Sequence, residues 1–305
     1  MTGAFYSGAD NIYDIIDTIV DKLIAEDSDW TDGDTTWTTT DRTEANNGRR
    51  CLKWSGDSAD IWLALEIINA QGKEIDNSEN ERAKGFRVTF SSSWDSTNHT
   101  YGSTNSQTFV AFEAEADANA TADMSTLQVN YYCWVDAAGF ALMGTPEAHA
   151  GDSYQSPFIC VIERLASKEY SDGFSNFFCF TDYRSDMDSW KGGDPTSGYM
   201  VNYMLRPFAY TEYDESGIQF WKDKWYAFKS TGNGKVYYMK PLIFNDVEET
   251  MPIGQSELFF KYSTESGLVD GDVVAIDGET TKYLCKSLAG PDSSQMIHYA
   301  IKYVA

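Results

Sequence analysis

Basic residues are scarce in this sequence. Its 305 residues carry 23 Lys and Arg against 47 Asp and Glu, a net charge of 23 − 47 = −24, and residues 88–163 contain neither Lys nor Arg. Binding nucleic-acid phosphates takes clustered cations, so no nucleic-acid partner is expected. Long apolar runs are missing as well. None approaches the ~20 residues that a membrane-crossing helix needs, so no membrane span is expected. The opening MTGAFYSGADNIYD lacks the basic and apolar regions of a secretory signal.

Histidine is nearly absent. His99, His149 and His298 have no partner at H-x-x-x-H, H-E-x-x-H or H-x-E spacing, which removes the usual basis for metal-assisted hydrolysis. No P-loop, G-x-G-x-x-G or G-x-S-x-G elbow occurs, and the GNG at Gly232–Gly234 reads as a turn. The acidic stretches DSDWTDGD (27–34) and DYRSDMDSWKGGD (182–194) lack the Gly and Glu offsets of an EF-hand. They read first as solvated surface and second as calcium ligands. Cys51, Cys133, Cys160, Cys179 and Cys285 form no C-x-x-C pair, and four sit among apolar neighbours. Buried free thiols are expected, while the odd count leaves an intermolecular disulfide open. The sequence thus assigns no catalytic, cofactor-binding or metal-ligating residue, expects no cofactor, and reads as no enzyme.

Aromatic residues are plentiful, at 17 Phe, 19 Tyr and 9 Trp, and proline is not, at seven. That balance favours strands. One helix stands out over Ala9–Glu26, where seven large apolar residues from Ile12 to Ile24 recur at three- and four-residue steps, with Ser7 and Asp10 resembling a capping box. Beyond Trp30 the pattern turns to period two and short apolar runs. The expected strands are 35–40, 50–54, 61–68, 85–90, 108–113, 127–135, 139–143, 156–164, 176–180, 199–207, 217–220, 225–229, 236–244, 258–262, 273–276, 281–286 and 298–303. Hairpins are expected to turn at Asp136–Gly139 and at Asp277–Gly278. Residues 69–84, 91–107, 115–125 and 182–198 read as loops, several of them long enough to act as arms.

The fold class that follows is mainly β: an antiparallel β-sandwich or jelly-roll-like arrangement with an N-terminal amphipathic helix. Three regions are expected, namely 1–30 with the helix, 31–251 as the main β domain, and 252–305 as a C-terminal hairpin subdomain, with Pro252–Gln255 as the boundary. With 47 acids, chance carboxylate pairs are inevitable, so glycoside hydrolysis is the least supported function.

The order of elements resembles a family of tailed-bacteriophage virion structural proteins. In that family a Y-S-G-x-A-x-N segment enters an amphipathic helix, followed by a W-T segment; here these read YSGADNIYDIIDTIVDKLI and WTDGDTTWT. The likeness continues in CLKWSGDSADIWLALEI, TLQVNYYCWVDAAGFALMG and FICVIERLASKEYSDGFSNFFCF, and at the end in QSELFFKYSTESGLVDGDVVAIDGETTKYLCKSL and HYAIKYVA. It departs over residues 191–228, where the family's Pro-rich middle is replaced. The resemblance implies a structural role in the tail, neck/collar or baseplate of a virion, made in the host cytoplasm, and it carries over no catalytic residue. The expected partners are further copies of the chain in a symmetric homo-oligomer and other tail or neck proteins, gripped through the helix stripe and the long loops. The alternative is a carbohydrate- or receptor-binding module of the particle, with a glycan as partner and aromatic side chains as stacking platforms.

Overall fold

A computed structural model describes residues 3–57, 59–70, 83–102, 105–114, 120–151, 154–165, 177–184, 200–205, 227–238, 240–244, 252–275, 280–291 and 296–304. The chain is mainly β with one helix near its N-terminus. In order it forms β1 (Ala4–Asn11), α1 (Ile12–Glu26), β2 (Trp30–Asp32), β3 (Arg49–Trp54), β4 (Ile61–Ile68), β5 (Ala83–Ser91), β6 (Trp94–Asp95), β7 (Thr100–Tyr101) and β8 (Asn105–Ala114). There follow β9 (Gln128–Asp136), β10 (Gly139–Pro146), β11 (Tyr154–Gln155), β12 (Phe158–Arg164), β13 (Phe177–Arg184), β14 (Met200–Leu205) and β15 (Ala227–Lys229). The last strands are β16 (Val236–Tyr238), β17 (Leu242–Phe244), β18 (Pro252–Gln255), β19 (Phe259–Lys261), β20 (Val273–Ala275), β21 (Lys282–Ala289) and β22 (Met296–Tyr303).

Three antiparallel sheets dominate. A central sheet has the order β1-β9-β10-β12-β13-β14, a front sheet β11-β8-β5-β4-β3-β2, and a C-terminal sheet β19-β22-β21-β20. The two six-stranded sheets are built mostly from chain-consecutive neighbours, so the sandwich is one of meanders, with few crossovers between its sheets. The central sheet alternates its side chains between two cores. Val135, Phe140, Leu142, Cys160, Ile162 and Cys179 face the front sheet and the helix. Trp134, Ala141, Met143, Val161, Phe178 and Phe180 face the C-terminal sheet. A sheet covered on both faces needs apolar residues at every position, which is why FALM, FICVI and FFCF are continuous runs. The front sheet keeps its outer side towards solvent and alternates instead: Leu63, Leu65, Phe86 and Val88 point inwards, while Glu66 and Arg87 point out.

Helix α1 is shorter than its periodicity predicts, because residues 4–11 are held extended against β9, with Ser7 opposite Tyr132. The cap is therefore Asn11, whose side-chain oxygen accepts from the Asp14 N–H at 3.1 Å, and not the expected Ser7–Asp10 box. The helix packs against β1 and β9 of one sheet and β2, β3 and β4 of the other. Ile12, Ile15, Ile16, Ile19, Val20 and Leu23 are all buried there and Ile24 partly so, and the stripe thus covers chiefly the chain's own core rather than a neighbour as expected. On its outer side Arg42 pairs with Asp14 and Asp17, and Arg50 reaches Asp17 at 2.9 Å and Asp21 at 3.0 Å. The first thirty residues thus contribute to both sheets and their shared core.

Two further expectations need correcting. Residues 35–40 form no strand. The Asp34 carboxylate takes the Thr36 and Trp37 N–H groups, both at 3.0 Å, and this side-chain turn competes with extended pairing. The run 236–244 divides into β16 and β17, separated at Pro241, which has no N–H to give a ladder. The Asp136–Gly139 hairpin forms as read. Strand 217–220 and the Asp277–Gly278 turn lie outside the described residues. At the expected boundary, Pro252–Gln255 is itself a strand paired with β17.

Loop 91–107 is partly ordered as the β6–β7 hairpin. Near residue 120, Ala120, Ala122 and Met124 are buried. Asn69 holds them in place, its amide donating to Asp123 at 2.8 Å and its carbonyl accepting from the Met124 N–H at 2.9 Å. Lys84, itself buried, donates to the Ala122 carbonyl at 2.7 Å.

Candidate ligand-binding cleft

The outer face of the front sheet carries a cleft of about 310 Å³. Its floor is two cross-strand rows. Arg49, Glu66 and Arg87 stand side by side on β3, β4 and β5, and Cys51, Ala64 and Thr89 form the next row. In the first row one carboxylate lies between two guanidinium groups: Arg87 Nη2 pairs with Glu66, and Arg49 Nε approaches Glu66 Oε1 at 3.5 Å. Asn47 Nδ2 adds a long bond to the same oxygen at 3.4 Å. Arg49 Nε is buried without a hydrogen bond among the described residues. In the second row Ala64 is small, and that leaves the depth of the cleft.

Two segments make the walls. The turn after β2 brings Trp37, 9% exposed, over the floor, with the Arg49 guanidinium 5.8 Å from its ring centre. The β6–β7 hairpin leaves the end of β5 and folds back, supplying Trp94, Asn98, His99 and Tyr101. Its base is tied by Ser91, whose Oγ accepts the Gly102 N–H at 3.2 Å while its hydroxyl donates to the Ser93 carbonyl at 2.7 Å. Trp37 and Trp94 meet edge to face, 5.0 Å between centroids at 70°, a favoured aromatic geometry.

Asp34 joins the two walls from behind. Its Oδ2 accepts from Trp94 Nε1 and from His99 Nδ1, each at 2.8 Å, and its Oδ1 takes the turn N–H groups. Burial alone would raise this carboxyl. The bonds from His99, Trp94 and Thr36 outweigh it and hold Asp34 well below the usual carboxylate range. An ionised Asp34 fixes the imidazole with its proton on Nδ1, leaving Nε2 as the other polar atom of the ring. His99 adopts φ 55°, the left-handed region that non-glycine residues seldom enter. Asp95 prepares that conformation by accepting the Thr97 and Asn98 N–H groups at 2.8 and 3.2 Å. The hairpin tip is thus built to present His99.

Apart from Cys51 in the floor's second row, the other histidines and thiols weighed from the sequence stand away from this cleft. His298 Nδ1 lies 2.9 Å from Ser287 Oγ, and burial, together with the Lys261 charge, lowers its pKa. His149 sits in the loop after β10 and does not line the cleft. The five thiols are free and buried. Burial raises those of Cys133 and Cys160 well above the ordinary range and that of Cys285 to about 12. No group of three or more His, Cys, Asp or Glu suited to a metal occurs among the described residues, and most of 182–194 lies outside them. No helix among the described residues is long and apolar enough to cross a membrane.

No family model, curated protein or solved structure matches this chain. Its function is therefore argued from the geometry. Sequence reading weighed His99 and the acidic stretch ending at Asp34 and gave no cleft residue a role. The signal was there in part: Glu66 and Arg87 occupy the outward parity of the expected strands 61–68 and 85–90, and Arg49 stands one residue before the expected strand 50–54. What joined them to Asp34, Trp37, Trp94 and His99 was the fold-back of two segments, which periodicity does not report. A glycosidase needs two carboxyls facing across a cleft, and Glu66 is the single carboxylate among the lining residues.

Proposed function

We propose that this chain is a structural subunit of a tailed-bacteriophage particle, in its tail, neck/collar or baseplate, working by assembly with further copies of itself and with other particle proteins. The observation that supports this reading is where apolar surface lies. Of the six exposed large hydrophobic residues among those described, Val269, Val273, Met296 and Val304 belong to the C-terminal layer. Strand β20, with Val273 and Ala275 turned outwards, is the last strand of its sheet among the described residues, and an edge strand offers pairing groups to a neighbour. With a chain charge of −24, identical subunits repel, so basic partner proteins or screening salt would favour assembly. Imaging of intact particles tests this. The expected result is the chain in a symmetric ring or sleeve with residues 269–304 against a neighbour. A lone copy with that layer facing solvent, or absence from the particle, overturns it.

The cleft favours a second reading, a saccharide-binding module of the same particle. Aromatic walls over a polar floor suit a ring with one apolar face and a rim of hydroxyls. Binding of simple sugars to the isolated chain, lost when Trp94 is replaced by Ala, is the expected result. Retention of binding in that variant counts against it.

A further inference from the structure

We infer that the cleft selects a sugar that carries a carboxylate, a uronic or sialic acid type of ring, over a neutral one; this rests on the saccharide reading above. Charge is the first reason. The chain is strongly acidic and residues 88–163 have no cation, yet the lining sets Arg49 and Arg87 against Glu66 alone. The ionised Asp34 behind the wall is taken up by its bonds from Trp94 and His99, so the two guanidinium groups act on a ligand carboxylate at contact range, while the acidic charge of the rest of the chain is screened over distance.

Hydrogen-bonding capacity is the second. Glu66 cannot satisfy two guanidinium groups: it pairs with Arg87 and stands 3.5 Å from Arg49 Nε, and about a third of the Arg49 side chain, 33%, remains exposed. Guanidinium presents paired donors that match the two oxygens of a carboxylate. A neutral hydroxyl supplies one oxygen and no charge.

Shape is the third. About 310 Å³ lies at the lower end of ligand pockets, room for one or two sugar rings. Tyr101 is 38% exposed and offers an aromatic face to the apolar side of a pyranose. Asn98 and the His99 ring stand beside it for hydroxyls. The Asp34 bonds hold this wall before any ligand arrives, so little ordering cost attends binding.

The test is ligand-observed NMR on the full chain with glucuronic acid, N-acetylneuraminic acid, glucose and acetate. An acidic sugar should bind about tenfold or more tighter than glucose, the worth of one charge-assisted hydrogen bond, and 0.5 M NaCl should narrow that gap. Arg49→Gln and Arg87→Gln should bring the acidic sugars down to the level of glucose. Ala64→Leu should fill the floor and abolish binding of every sugar, with circular dichroism unchanged. Equal affinity for glucose and glucuronic acid overturns the acid selectivity and leaves the saccharide reading standing. Acetate competing as well as glucuronic acid reduces the cleft to an anion site and overturns the inference. Binding of none of the four overturns both.

Discussion

Replacing Glu163 by Gln should abolish a large pH dependence of stability. Glu163 lies on β12 where the central sheet meets the C-terminal layer, and it is 1% exposed. Its Oε2 is 2.5 Å from Ser256 Oγ, and its Oε1 accepts the Glu257 N–H at 2.7 Å. Burial raises the carboxyl, the two hydrogen bonds lower it, and the Asp136 and Glu257 charges raise it again. The balance moves it from 4.5 to about 8. The folded state therefore binds a proton that the unfolded chain releases above 4.5. Stability from this group is complete below 4.5 and is lost as the pH climbs through about 8. Between pH 5 and 9 that linkage amounts to roughly 4 kcal/mol. In Glu163→Gln the amide oxygen still accepts from Glu257, its NH₂ can donate to Ser256, and no proton is released. Urea unfolding of both proteins at pH 5, 7 and 9 gives the difference directly, provided the slopes agree. Wild type should fall behind the variant steadily with pH. Parallel pH profiles, within about 0.5 kcal/mol, would refute the reasoning, because every other titrating group is shared.

Gly85→Ala should destabilise by roughly 1–3 kcal/mol, because a Cβ there would lie 1.9 Å from the Val110 carbonyl oxygen at the β5–β8 register shift; an unchanged urea midpoint would contradict it. Asn69→Ala strips partners from Asp123 and the Met124 N–H and should cost roughly 3 kcal/mol, with faster hydrogen exchange around 120–125 as the local sign. All five thiols are buried, so a thiol reagent should label none quickly in the native chain and five after denaturation. Rapid labelling of Cys133 or Cys160 would show that the central sheet is less closed than described.

The strands were legible because burial on one or two faces writes itself into the period of the sequence. β4 emerges with the bounds read from IWLALEII, and the Asp136–Gly139 hairpin closes where its turn residues stand. The helix was legible in kind but not in its start. Periodicity could not show that YSGADN is claimed by an eight-residue pairing with β9, a partner more than a hundred residues away. The same blindness hid the cleft. Asp34 meets Trp94 and His99 across 60 and 65 positions of chain. A carboxylate followed by Thr-Thr-Trp-Thr looks like strand composition until its own side chain bends the backbone into a turn.

The two proposals use opposite sides of the molecule, and the central sheet explains how one chain can serve both. That sheet is covered on one face by the front sheet and helix and on the other by the C-terminal layer. The cleft lies on the far side of the front sheet, and the exposed valines lie in the C-terminal layer. Arg164 bridges the sandwich itself, gripping Asp57 by Nε at 3.0 Å and Nη2 at 2.5 Å while resting on the Trp54 ring. On the other side the contacts are of a different kind: buried carboxyls, Glu163 with Ser256 and Asp182 with Tyr299, the latter raised to about 6 by burial. A carboxyl placed there is favoured while protonated and strained once ionised, whereas the Arg164 guanidinium is held further above its ordinary value by its bonds to Asp57. Rising pH should therefore loosen the assembly-facing layer before it disturbs the cleft. Any contact made through residues 269–304 would weaken first, and ligand binding on the front sheet would outlast it.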